Sequence, residues 1–71
     1  MTVVFDATLY SKEAIQQAIK DYESIAQINL SIQPEQYICS IEKASFPEEQ
    51  TSLEFSNYVL ALTVSTSEKK L

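Results

Sequence analysis

The chain has no histidine, arginine, tryptophan or glycine in its 71 residues, and a single cysteine. Histidine is the commonest general acid or base near neutral pH. Arginine provides the planar fork that grips phosphate and carboxylate groups. Glycine lets a backbone close around a phosphate, as nucleotide-binding loops require. Without them, most compact catalytic and nucleotide sites cannot be assembled from this chain alone. One cysteine excludes an internal disulfide and points to a cytoplasmic location. No apolar run is long enough to span a bilayer. The opening Met1–Asp6 carries no basic stretch and does not read as a signal peptide.

What is present describes a small acidic globular domain. Apolar residues make up 45% of the chain, enough for a packed core and too many for a disordered segment. Ten acidic residues against five lysines give a net charge of −5. That balance argues against nucleic acid, which needs a basic surface, and against anionic membrane surfaces. The whole chain reads as one domain, with a frayed tail expected at 66–71.

Thr2–Asp6 reads as a short strand, and Asp6 as a turn former at its end. Ser11 is a good N-cap. Ala14, Ile15, Ala18, Ile19, Tyr22, Ile25 and Ala26 then recur at helical spacing, which predicts a helix over 12–25. The period changes to two over Gln27–Gln33 and again over Tyr37–Glu42, predicting a hairpin across Pro34-Glu35-Gln36 without the usual Asn-Gly signal. A loop is expected over 44–50. Thr51 and Glu54 have the spacing of a capping box, with Leu53, Phe55, Tyr58, Val59 and Leu62 as the apolar stripe behind it. Tyr58–Val64 is β-branched enough for a strand, but the cap favours a helix over 52–65.

The resulting order is β-α-β-β-α. The simplest arrangement sets the third strand between the first two and antiparallel to both, with two helices on one face: an α+β two-layer sandwich. The covered face would carry Val3, Phe5, Ile28, Leu30, Ile32, Tyr37, Cys39 and Ile41, and the open face Asn29, Ser31, Gln33, Ser40 and Glu42. The first and second strands are then both edges.

Few residues suggest chemistry. Cys39 lies on the inner side of a strand with no histidine to activate it, and reads as a small buried hydrophobe. Glu48 and Glu49 could form an acid/base couple or a hard-metal site, but read better as a solvated approach to the second helix. No catalytic residue, cofactor or metal ligand is expected. Tyr22, Tyr37 and Tyr58 suit a core rim with the hydroxyl outward, whereas Tyr10 and Phe46 lie in connections that suit an interface. Asn57 sits among apolar residues, either on the surface or bridging to the loop before the first helix. The segment Ile28, Asn29, Leu30, Ser31 and Ile32 would form an edge without lysine or proline to defend it. With Tyr10 and Tyr58 it makes the candidate partner-binding set. A proline at Ser31 is expected to remove a backbone donor from that edge.

Three segments together carry a resemblance: Phe5-Asp6 through Tyr10-Ser11-Lys12-Glu13-Ala14, the helix ending near Tyr22, and Glu54-Phe55-Ser56-Asn57-Tyr58-Val59-Leu60. The chain resembles the small HxsD-type proteins of His-Xaa-Ser peptide systems, which are encoded beside radical SAM enzymes that modify ribosomally made peptides. In that family the first helix begins Tyr-Ser and the second carries a Phe-x-Asn-x-x-Leu stretch. Helix one here lacks the basic, aromatic ending of the family, and the C-terminal arm is shorter. The resemblance implies a non-catalytic accessory or peptide-handling protein whose partner is a peptide substrate or the modifying enzyme. The alternative is a structural homodimer of unrelated role.

Overall fold

In a computed structural model, residues 1–69 are described, with side chains through residue 65. The elements are β1 (Thr2–Asp6), α1 (Lys12–Asp21), β2 (Gln27–Ile32), β3 (Gln36–Glu42) and α2 (Glu48–Lys69). The sheet order is β1-β3-β2 with β3 antiparallel to both neighbours, so the fold is the expected α+β arrangement with β1 and β2 as edges.

Both helices lie on the same side of the sheet. Ile15 and Ala18 of α1 and Phe55 and Val59 of α2 form one buried cluster with Phe5, Ile28, Cys39 and Ile41. An edge-to-face chain of rings runs through it: Tyr10 against Phe5 (4.9 Å between centroids), Phe5 against Phe55 (6.1 Å) and Phe55 against Tyr22 (5.4 Å). Offset and edge-on contacts of this kind add to the area that aromatic rings remove from water.

The helix termini follow local chemistry. Ser11 caps α1, its hydroxyl accepting from the Ala14 amide at 3.1 Å. The helix ends at Asp21 rather than 25. Tyr22 leaves helical geometry, and the amides of Ile25 and Ala26 both return to the Tyr22 carbonyl. Those tight turns reverse the chain before β2. Helix α2 begins at Glu48, four residues ahead of the expected start. Pro47 precedes the first turn, Glu48 and Glu49 place negative charge at the positive end of the dipole, and the Thr51 amide bonds to the Pro47 carbonyl at 3.0 Å. The Thr51/Glu54 pair is therefore helix interior and not a cap. Residues 66–69 of the expected tail fall within α2, and 70–71 lie outside the described residues.

Two residues expected in the buried set are exposed. Ile32 is 54% exposed at the end of β2, where α1 no longer covers it, and Leu53 is 64% exposed because, two residues before buried Phe55, it lies on the opposite side of the helix. The inner stripe of α2 instead runs through Thr51, Phe55, Val59 and Thr63.

Thr51 is buried with its hydroxyl unbonded, the one such side-chain atom among the described residues. A buried hydroxyl without a partner costs about 1–3 kcal/mol. Thr51→Val keeps the branched shape and should raise stability by about 1 kcal/mol, read as a shifted denaturation midpoint.

The absence of glycine also has a local cost. Lys43, closing β3, has φ of 51°. Left-handed backbone disfavours a residue with a Cβ by about 1–2 kcal/mol. Part of that gain returns as extra freedom of glycine in the unfolded chain. Lys43→Gly is therefore expected to stabilise by up to about 1 kcal/mol, a rise in melting temperature of roughly 5 °C. The hairpin manages without positive φ: Pro34 and Glu35 make a two-residue turn, with the Gln33 amide bonded to the Gln36 carbonyl at 2.9 Å.

Candidate functional site

The register of the sheet decides which backbone groups are free. In an antiparallel ladder, successive residues bond alternately to one side and the other. The Ile41 amide bonds to the Met1 carbonyl and the Ala7 amide to the Glu35 carbonyl, so the odd-numbered residues of β1 face β3. The Gln33–Gln36 bond sets the partition on β2. Gln27, Asn29, Ser31 and Gln33 point their backbone groups into β3, and Ile28, Leu30 and Ile32 point theirs off the sheet. Three consecutive outward residues thus offer donors and acceptors along one rim.

This partition corrects the choice of Ser31 as an edge donor. Its amide serves the internal ladder opposite Ile38. The outward amides belong to residues whose side chains sit on the helix side: Ile28 buried, Leu30 half-buried and Ile32 exposed. On the other face the same rim carries Asn29 and Ser31, both exposed. An added strand would therefore meet apolar side chains on one face and small polar ones on the other.

The β1 rim is less available. Its outward residues are Thr2, Val4 and Asp6, and the Asp6 carbonyl is already taken by the amides of Leu9 and Tyr10. The Asp6 carboxylate accepts from the Thr8 amide at 2.8 Å and the Thr8 hydroxyl at 2.6 Å, which holds it below the usual carboxylate range. Asp6 is a turn former, as expected, and the turn it builds closes that end of β1.

The remaining candidates fall outside the β2 rim. Tyr10 is half-buried against Phe5, on the β1 side of the sheet. Tyr58 is half-buried with its ring 5.5 Å from that of Tyr22, and its hydroxyl donates to the Asp21 carboxylate at 2.5 Å. That bond, and a second from Gln17 at 2.8 Å, holds Asp21 below its ordinary value. The same bond pushes the Tyr58 hydroxyl up. Tyr58 thus fastens α2 to the end of α1. Phe46 is exposed just ahead of α2, and Asn57 is exposed on it. The bridge to the loop before α1 comes from Thr63, whose hydroxyl accepts from the Ser11 amide at 3.4 Å. A threonine in an apolar helical stretch gives little warning of that role.

Cys39 is fully buried, and burial pushes its thiol up to about 11. Glu48 and Glu49 are exposed in the first turn of α2, and the described residues contain no cluster of three metal-ligating side chains. An open cleft of about 560 Å³ lies at the hairpin end between Val4, Asp6, Thr8, Pro34, Glu35 and Gln36. Among the described residues, no helix is long and apolar enough to cross a membrane.

No family model, curated protein or solved structure matches this chain.

Proposed function

We propose that this chain is a non-catalytic accessory protein that holds a peptide in extended form by adding it as a fourth strand to the rim of β2. The observation that supports it is the run of outward backbone groups at Ile28, Leu30 and Ile32, undefended by lysine or proline within β2 or, among the described residues, by a covering element. Main-chain hydrogen bonds give such an addition its affinity, and alternate side chains give it selectivity. Here selectivity favours an apolar residue beside Leu30 and Ile32 and a polar one beside Asn29 and Ser31. The net charge of −5 favours a neutral or basic peptide over an acidic one.

The resemblance to HxsD-type proteins supplies the setting: a cytoplasmic system in which a radical SAM enzyme modifies a ribosomally made peptide. In that setting this chain presents the peptide, and the enzyme does the chemistry. The test is affinity capture of a precursor peptide and a radical SAM enzyme encoded beside the chain, when the three are produced together. Recovery of the peptide with the wild-type chain is expected. A chain that retains neither peptide nor enzyme contradicts the reading.

A further inference from the structure

Helix α2 carries a second apolar stripe that its own domain does not use. Leu53, Leu60 and Val64 are 64%, 47% and 49% exposed, and with exposed Asn57 they follow a 4-3-4 spacing along one side of the helix. Phe55 and Val59, on the opposite side, are fully buried against the sheet and α1. The spacing is that of a helix-pairing seam, with Leu53 and Leu60 at one type of core position and Asn57 and Val64 at the other. The helix also outruns its support. Its 22 residues extend about 33 Å, against about 15 Å for the 10 of α1.

We propose that a second copy of this chain docks on this stripe, the two α2 helices packing antiparallel about a two-fold axis near Tyr58 and Val59. A 4-3-4 spacing reads the same in both directions. A reversed copy therefore sets Leu53 against Val64 and Asn57 against Leu60, at both ends alike, as a two-fold contact demands. The two Asn57 amides lie within one turn of the axis and can pair across it. The flanking charges select this orientation. A parallel pair would place Glu49 of one copy beside Glu54 of the other, a like-charge contact. The reversed pair sets Glu54 beside the uncharged Ala61. The contact uses the outer side of the helical layer and leaves the β2 rims open, so the dimer offers two strand-accepting edges. Two linked edges gain avidity on a peptide that can reach both.

Light scattering reads the oligomer. At about 100 µM, where micromolar affinity gives mostly dimer, the wild-type chain should show twice the monomer mass. Leu60→Glu should halve it with an unchanged circular dichroism spectrum. If Leu60→Glu loses its spectrum, Val64→Glu, beyond the Ser11 end of α1, serves in its place. Orientation is read by disulfide formation. A mixture of Leu53→Cys and Val64→Cys chains should cross-link, and Leu53→Cys alone should not. A monomeric wild type, a dimer that survives the glutamate, or cross-linking by Leu53→Cys alone overturns the proposal. The dimer test is independent of peptide capture, since Leu60→Glu leaves the β2 rim intact.

Discussion

Replacing Phe55 with alanine should remove a large share of the domain's stability. Its ring is fully buried and in edge-on contact with both Phe5 of β1 and Tyr22 at the end of α1, so it joins the helical layer to the sheet. Truncating a buried phenylalanine costs about 3–5 kcal/mol, because the apolar area and the surrounding contacts are lost together. Domains hold roughly 0.05–0.15 kcal/mol per residue, which for this length is about 4–10 kcal/mol in all. The loss therefore consumes about 30% or more of the stability and, at the lower end, all of it. Phe55→Leu keeps most of the volume and should cost much less. Chemical denaturation of the two variants gives the comparison. A Phe55→Ala midpoint close to wild type would mean that α2 is not anchored through this ring.

The second large effect separates two prolines one residue apart. Ile32→Pro removes an outward amide at the exposed end of β2, so the internal ladder keeps its bonds and the fold should persist. Peptide capture should fall to background, because the ring occupies the line along which the added strand would pair. Ser31→Pro removes an amide directed at Ile38 and should destabilise the hairpin by about 1–3 kcal/mol. Circular dichroism and peptide capture, measured on both, distinguish a blocked rim from a broken sheet. Capture undiminished by Ile32→Pro would place the peptide elsewhere.

The contrast between these prolines shows where sequence reasoning reached and where it stopped. The strict alternation over Gln27–Gln33 and Tyr37–Glu42 specifies two faces, and with the helical spacing after Ser11 it leads to the order β1-β3-β2. Alternation of side chains says nothing of which amides face outward. That depends on ladder phase, set here by the Gln33–Gln36 turn. The start of α2 was obscured for a different reason. Two start signals compete, and Pro47 with Glu48 and Glu49 prevails over the Thr51/Glu54 spacing, leaving Thr51 buried without a partner. Ile32 carries the right side chain for a core and lies past the point where the helix covers the sheet. The hydroxyl of Thr63, which meets the Ser11 amide across 52 residues of sequence, depends wholly on how α2 crosses α1.

Amide hydrogen exchange of the wild-type chain, with and without the precursor peptide, tests the strand-addition account most directly. Outward amides exchange quickly and those bonded to β3 slowly. Added peptide should slow Ile28, Leu30 and Ile32 selectively, in the alternating pattern of a new strand, and leave Asn29 and Ser31 as slow as before. Exchange at Ile28, Leu30 and Ile32 that stays fast when peptide is demonstrably bound would contradict it.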